Sequence, residues 1–374
     1  MIRSIFTING FTPTDSHDWN CLWVNSSAKE YVNRNLNDFQ KVNHFPHSFE
    51  LTRKDKLAYN ISKMQTRYGD YDFLIMPESY VLPDQYEMFQ EQYLLYKKQC
   101  PDKNMWIIKP AWGSRGKGIY ITSDIKDITE DSSNVVCRYI TNPLLINGFK
   151  FDLRIYVWIT SYEPLRIYWY KEGLVRFASE EYEHFDETTF QEWYDDDEED
   201  NFYANQKENK KWKKKRYAHL TNYSINKKNS KFIQNESLEK DDVGGKWSLS
   251  ALCKHMKNIG IDMDLLWSRV YDIIIKVIIT GEYPITKKIK NSSVNQRNCF
   301  ELYGFDILLD SDLKPWLIEV NLSPSLGTDS PLDYHIKTAL LIDTFNLIGI
   351  RKFDRKKESL TKMDNRVKNI SDSK

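Results

Sequence analysis

Hydrophobic and polar positions alternate in two adjacent runs, residues 304–310 and 315–321, separated by the turn residues Ser311 and Asp312. A period of two predicts strands, and two such runs across a short turn predict an antiparallel hairpin. Asp306 falls on the opposite face from Phe305, Ile307 and Leu309. In the second run Glu319 and Asn321 share one face, while Trp316, Ile318 and Val320 take the other. The hairpin is therefore expected to gather two carboxylates and one amide oxygen on a single polar face. Hard oxygen donors of this kind suit Mg²⁺, which binds through one or two carboxylates together with nucleotide phosphates. A solvated hairpin face is the competing reading, and two acids and an Asn opposite an unbroken apolar face are more order than it requires.

The rest of the pattern reads as mixed α/β. Strands are expected at 21–24, at 105–109 running into a Gly-rich turn, and just after that turn at IYIT. Residues 151–158, 165–170 and 174–178 form an expected meander with turns at Glu163-Pro164 and Glu172-Gly173. Helical spacing marks 52–68, 83–99, 248–259, 263–279 and 332–348. Residues 185–216 hold few apolar positions and carry charge in blocks, which predicts a long insertion. The expected organisation is an N-terminal α/β domain over 1–50, a central domain over 51–144, a C-terminal domain over 145–350 with the insertion inside it, and a basic tail over 351–374.

Charge is balanced in total and uneven in place. Lys+Arg and Asp+Glu are 53 each, so no global field calls for nucleic acid or a membrane surface. Locally, YDDDEED (194–200) precedes KENKKWKKKR (207–216), and 351–374 holds nine basic residues against four acidic. Five scattered cysteines with no CxxC support neither a disulfide framework nor a zinc site. No basic-then-apolar leader opens the chain, and the longest apolar run, broken by Lys276, is too short to span a bilayer. A reducing, cytosolic setting is the expectation.

Three further features carry chemistry. The turn from Lys109 to Gly118 (KPAWGSRGKG) lies between two strands, where backbone N–H groups can approach phosphate oxygens. It lacks the spacing of a Walker A loop and of GxGxxG, and an ordinary charged hairpin turn reads equally well. Lys109 ends an otherwise apolar strand, which favours ligand contact. In KFDLRIYVW, Lys150, Asp152 and Arg154 line one strand face opposite Phe151, Leu153, Ile155 and Val157. That triad can hold a phosphate and a carboxylate together, or can be an exposed face of compensating charges. In HLTNYS, Thr221 and Asn222 can orient a substrate or cap a helix. Read alone, Arg176 is more typical of a surface and His219 of a structural position.

A strand lysine, a Gly-rich loop, a charged strand triad and a terminal Asp/Glu/Asn set together form an ATP-grasp arrangement. The chain resembles the tubulin tyrosine ligase-like family, and its glutamylase branch in particular, in NHFPHSFELTRKDKL, FLIMPESYVLP, WIIKPAWGSRGKGIYI, CRYITNPLLINGFKFDLRIYVWITSYEPLRIY, GLVRFASEEY, AHLTNYSINK, GGKWSLSAL and CFELYGFDILLDSDLKPWLIEVNLSPSLGTDSPLD. The likeness covers about residues 9–349, apart from the charged insertion.

The resemblance implies roles residue by residue. Lys109 corresponds to the phosphate-binding lysine, and Ser114, Arg115, Gly116, Lys117 and Gly118 to the phosphate loop. Arg138, Tyr139 and Ile140 resemble the adenine hinge, where backbone groups read the base, and Lys150 also reaches the nucleotide. Asp152, Arg154 and Arg176 look like the substrate-facing set. Thr221 and Asn222 correspond to positions near the transferred phosphate, with Asn222 also contacting nucleotide. Asp306, Glu319 and Asn321 match the magnesium ligands, and Lys54 is a weaker match to a ligand-facing lysine. Cys137 stands where many members carry Gln, Trp112-Gly113 replace small polar residues, and the charged insertion has no counterpart.

The activity implied by this resemblance is that of an ATP- and Mg²⁺-dependent ligase. It would join free L-glutamate through an isopeptide bond to the γ-carboxylate of glutamates in the acidic C-terminal tails of tubulin, by way of an acyl phosphate. A monomer in the cytoplasm, on the cytoskeleton and in the cilium or basal body is expected, with no nucleic-acid or membrane partner. Two alternatives stay open: a ligase for glycine, tyrosine or a non-tubulin acceptor, and a non-catalytic microtubule-binding protein. The complete set of Lys109, Lys150, Asp306, Glu319 and Asn321 goes against the second.

Overall fold

The computed structural model describes the chain except for residues 17–18, 26–35, 114–115, 185–209, 293–294, 351–359, 362 and 365–374. In chain order the first elements are α1 (Ile2–Ile8), β1 (Cys21–Leu22), β2 (Lys41–Val42), α2 (Phe49–Thr52), α3 (Lys54–Tyr68), α4 (Asp70–Phe73), β3 (Ser79–Val81) and α5 (Tyr86–Gln99). Next come β4 (Trp106–Pro110), β5 (Tyr120–Thr122), β6 (Asn134–Arg138), β7 (Leu145–Ile146), β8 (Phe149–Tyr162) and β9 (Leu165–Phe177). The last are α6 (Lys210–His219), α7 (Tyr223–Asn226), β10 (Lys246–Ser248), α8 (Leu249–Asn258), α9 (Met263–Lys290), β11 (Glu301–Leu309), β12 (Pro315–Asn321) and α10 (Pro331–Ile348).

Two sheets frame the molecule. The larger runs β10-β9-β8-β11-β12, with β7 on the end of β8, and the smaller runs β3-β6-β4-β5. Every pairing within both is antiparallel. Alternation on β8 sends Phe151, Leu153, Ile155 and Val157 to one face, where they join Phe305 and Ile307 of β11. Val270, Ile274, Val277 and Ile278 of α9, Leu252 of α8 and Leu57 and Ile61 of α3 cover that face. Each fully buried aliphatic side chain here contributes roughly 1.5–3 kcal/mol. On the small sheet, Trp106, Ile108 and Val136 pack on Phe89 and Tyr93 of α5. Their alternating neighbours, Ile107, Lys109 and Cys137, face the large sheet across a cleft.

The opposite face of the large sheet divides in two. Tyr156, Trp158, Leu174 and Leu302 lie beneath Leu332, Ile336 and Leu340 of α10. That helix opens on Ser330, whose Oγ accepts from Asp333 N, and closes on Gly349 in the left-handed region. Beyond its reach the same face turns ionic, and there lies the cleft.

Five differences from the sequence expectation have local causes. Strand β1 stops at Leu22, and Val24 N instead donates to the Asn43 side chain. The turn expected at Glu172-Gly173 is absent: β9 runs on past both, with a register shift opposite Ile155–Val157. Gly173 is there for closeness, since a Cβ would lie 2.5 Å from Arg154 O. Helix α9 continues to Lys290 through Pro284, because its apolar stripe goes on with Ile285 and Ile289. The C-terminal part of the expected insertion is ordered as α6, while 185–209 lie outside the described residues. Finally, β12 departs from strict alternation. A bulge between Asp306 and Ile307 sets Glu319 against Asp306 but Leu317 against Ile307. Leu317 and Val320 therefore enter the core, and Ile318 is left on the cleft.

Candidate functional site

Register alone assembles the ionic face. Lys246 on β10 pairs with Arg176 on β9, and Arg176 with Asp152 on β8. Two residues along β8, Arg154 pairs with Asp306 on β11, and Asp306 with Glu319 on β12. Opposed residues share a face, so five strands place acids and bases in contact without any loop.

The contacts are short and buried. Arg154 Nε donates to Asp306 Oδ1 at 2.5 Å and its Nη2 to Oδ2 at 3.1 Å. Arg176 grips Asp152 through Nε (2.7 Å) and Nη2 (2.5 Å), and its Nη2 also lies 2.7 Å from Asp306 Oδ2. Thr221 Oγ1 donates to Asp152 Oδ2 at 2.6 Å. Arg176 is only 8 % exposed, so the surface position expected for it in isolation is wrong. Asp152 commits both oxygens to Arg176 and Thr221, and Arg176 commits Nε and Nη2 to Asp152 and Asp306, a bidentate geometry that fixes direction as well as charge.

Asp306, Glu319 and Asn321 meet as the alternation suggested. Asn321 Nδ2 lies 3.2 Å from Glu319 Oε1 and 3.4 Å from Asp306 Oδ2. Burial and the neighbouring Asp306 charge push the Glu319 carboxyl above the ordinary carboxylate range, although Lys54 acts against the shift. Burial opposes ionisation of Asp306, but Arg154 and Arg176 win and hold its carboxyl well below that range. Two adjacent carboxylates, one of them hard to ionise, are a donor set that a divalent cation would relieve. Among the described residues no three His, Cys, Asp or Glu side chains group as a metal cluster, so Asn321, whose Nδ2 faces both carboxylates, would turn its amide oxygen inward to be the third protein donor.

Lysines reach the cleft from both sheets, Lys109 from β4 and Lys150 from β8. Lys109 and Lys150 both line it and both are buried. Burial lowers Lys150 to about 7, with Asp152 opposing and Lys109 reinforcing the shift. Lys54, at the start of α3, donates to Gly113 O at 2.8 Å and lies 4.0 Å from Glu319 Oε2. It thereby ties the Gly-rich loop to the carboxylate pair. On the other side of that loop Gly116 has φ +72°, and a Cβ there would run into Ile225 Cδ1 of α7. Lys117 and Gly118 belong to the same loop, whereas Ser114 and Arg115 lie outside the described residues. At the hinge, Arg138 N donates to Glu78 O and Tyr139 N to Met105 O, each at 2.8 Å. The Arg138 guanidinium turns to Tyr96 OH at 2.6 Å.

One cleft is thus lined by Lys109, Arg138, Tyr139, Ile140, Lys150, Asp152, Arg176, Thr221, Asn222, Asp306 and Glu319. Arg154 and Asn321 reach it through Asp306. Asn222 occupies the N-cap position of α7 without a side-chain cap bond. His219, expected to be structural, is 1 % exposed and also lines the cleft. Leu308 and Ile318 complete an apolar end with Ile107 and Ile119. Ile318 is brought there by the bulge, for which the alternating pattern held no signal.

Residues 32–358 match the description Tubulin-tyrosine ligase family. The chain belongs to this family. Its mixed helix-and-sheet architecture is the ATP-grasp-like fold of that family. Similar proteins include human Tubulin polyglutamylase TTLL5, 42 % identical over 351 residues, which are 93 % of this chain and 25 % of that protein. Mouse Tubulin monoglutamylase TTLL4 is 38 % identical over 332 residues, 89 % of this chain and 25 % of that protein. Tubulin polyglutamylase ttll-5 of Caenorhabditis elegans is 37 % identical over 366 residues, 95 % of this chain and 47 % of that protein. The chain spans about a quarter of the length of the first two relatives. All five cysteines are free thiols, and among the described residues no helix is long and apolar enough to cross a membrane.

Proposed function

We propose that the cleft is the site of an ATP-dependent acid–amine ligase that adds glutamate to glutamate side chains of tubulin tails. The observation that carries this is the convergence on one cleft of two buried lysines, Lys109 from the small sheet and Lys150 from the large one, with a carboxylate–carboxylate–amide set on the large sheet (Asp306, Glu319 and Asn321). Lysines that meet phosphates beside oxygen donors for Mg²⁺ are what phosphoryl transfer requires. The relatives named as tubulin polyglutamylases and a tubulin monoglutamylase supply the acceptor and the donor.

Adenine would lie at the apolar end, between Ile107 and Ile119 on one side and Leu308 and Ile318 on the other. The Arg138 and Tyr139 amides are already committed to carbonyls, so N–H donation to the base from this hinge falls to Ile140. Lys109 and Lys150 would meet phosphate oxygens. Asp306, Glu319 and Asn321 would hold Mg²⁺, which supplies charge neutralisation on the phosphates. The acceptor γ-carboxylate oxygen attacks the γ-phosphorus and ADP leaves. The donor amine, having lost its proton, then attacks the acyl carbon; the C–N bond forms and phosphate departs. Asp152 is a positioning residue in this scheme, holding Arg176 and Thr221 in place. Four cationic side chains against three carboxylates line the cleft, which favours anionic substrates.

The test is mass spectrometry of tubulin tails after incubation with ATP, Mg²⁺ and either glutamate or glycine. Glutamate addition is expected to exceed glycine addition by about a hundredfold, as a site built to pair a charged group rejects an analogue lacking it. Comparable glycine incorporation would overturn the donor assignment, and no adduct with either would overturn the ligase reading.

A further inference from the structure

Lys150 is buried, and its Nζ donates to Tyr139 OH at 2.9 Å while lying 4.4 Å from the centre of the Tyr139 ring. Tyr139 OH in turn lies 3.1 Å from Nδ1 of His219, the last residue of α6. An ammonium can only donate. The phenol oxygen accepts from Lys150, and Tyr139 also hydrogen-bonds Tyr182, whose own OH donates to Thr141 O at 3.0 Å. The Tyr139 proton therefore goes to Tyr182 and His219 Nδ1 donates to the phenol oxygen, which assigns the His219 proton to Nδ1. Both neutral forms are favoured by their surroundings. Burial, with Lys150 and Lys215 nearby, pushes His219 well below its usual range, and burial with Tyr182 pushes the Tyr139 phenol well up.

Other charged or titratable groups face this chain from every side. Lys109 comes from β4, Asp152 from β8 itself, and Lys215 from α6. Tyr182 packs its ring 5.1 Å from His219 and 5.1 Å from His184. Asp152 alone among them offers Lys150 a negative charge.

We propose that Tyr139 and His219 are positioning residues that hold the Lys150 amine beside Lys109, the phenol oxygen accepting from Lys150 while His219 and Tyr182 fix the phenol, so that Lys150 is aimed before nucleotide arrives. This rests on the nucleotide reading of the cleft. It gives the Tyr139 side chain a task separate from any hinge contact of its backbone, and makes α6 a support of the site.

The consequence is a pH dependence of ATP affinity. Lys150, at about 7 in the empty cleft, is raised when phosphate oxygens add negative charge beside it. Below that value it is charged with or without ATP and contributes no slope. Above it, binding takes up a proton, and affinity falls by about tenfold per pH unit until the bound-state value is passed.

Calorimetric titration of the full chain with ATP and Mg²⁺ across this range tests the proposal, using His219→Leu, His219→Asn and Tyr139→Phe. His219→Leu and Tyr139→Phe are expected to weaken ATP by about tenfold at low pH and to move the onset of the pH-dependent loss to lower pH. His219→Asn, whose amide NH2 can stand in for Nδ1–H, should stay within about twofold of wild type. Nitrogen-15 spectra of histidine in the wild-type protein should show His219 neutral and protonated on Nδ1. Unaltered pH profiles in the Leu and Phe variants, an Asn variant no better than Leu, or a His219 protonated on Nε2 would each overturn the positioning role. Wild-type protein that binds no ATP at any pH would instead overturn the nucleotide reading itself.

Discussion

Two clusters of buried charge lie along the same face of the large sheet and differ in what covers them. The first, Asp152, Arg154, Arg176, Asp306 and Glu319, borders the cleft. The second consists of Lys246 of β10 with Asp333 and Lys337 of α10. Lys246 Nζ lies 2.5 Å from Asp333 Oδ2 and Lys337 Nζ 2.6 Å from Oδ1, and none of the three is more than 6 % exposed. Lys337 also donates to Gly327 O at 2.5 Å, and Lys246 lies 3.6 Å from the centre of the Tyr223 ring. Burial opposes the Asp333 charge, but two ammoniums outweigh it and lower its carboxyl. In the first cluster Asp306 is held low while Glu319 is pushed up. The second cluster pairs both oxygens of its carboxylate and burial lowers only the Lys337 ammonium, whereas the first has a carboxyl pushed up by burial and a neighbouring charge. Burial and ion pairing alone do not separate function from structure. An unrelieved carboxyl next to open space does.

Replacing Glu319 by Gln should cut turnover by about a thousandfold, since a divalent cation loses an anionic ligand and phosphate charge is left uncompensated. The same change removes a strained carboxyl, so the thermal midpoint should hold or rise. Steady-state kinetics with a melting curve reads both, and wild-type turnover in the folded variant would end the metal assignment. Asp333→Asn should behave oppositely. It strands two buried ammoniums, and removing one partner of a buried pair typically costs about 3–5 kcal/mol. Turnover per folded molecule should change far less than in Glu319→Gln. Denaturant titration beside active-site-normalised rates would reverse the comparison if Asp333→Asn proved inactive yet stable. The smallest effect is expected in the basic run of α6. Neutralising Lys213, Lys214, Lys215 and Arg216 should raise KM for tubulin by about tenfold at low salt and flatten its salt dependence, leaving KM for ATP nearly constant. Lys215 Nζ already pairs with Glu183 at 2.6 Å, which tempers its share. An unchanged tubulin KM would exclude this segment as a docking surface.

Much of this was legible in the chain. Alternation at 151–157 and 304–309 has only one way to sit on a buried sheet, because a one-residue slip would turn every apolar side chain to the wrong face. The ionic residues between the apolar ones were therefore bound to share the other face, and Asp152, Arg154, Asp306 and Glu319 do. The helices at 249–258 and 331–348 were marked by their spacing, and the structure caps each with a serine. Misses fell where a distant partner overrides local pattern. Gly173 looked like a turn because a glycine signals freedom, yet it serves an approach to Arg154 that no neighbouring residue reveals. Ile318 looked like core because it alternates, yet a bulge turned it to the cleft.

Sequence by itself determined the elements, the faces and the oxygen donors at Asp306, Glu319 and Asn321, because those depend on periods of two and 3.6 residues and on side-chain type. Only tertiary structure decided their state. Arg176 reads as surface until two strands bring Asp152 and Asp306 to it. His219 reads as core filler until α6 sets it against Tyr139. Whether a charge is paired, stranded or aimed depends on groups far away in the chain, and in a low-dielectric interior those groups determine its ionisation.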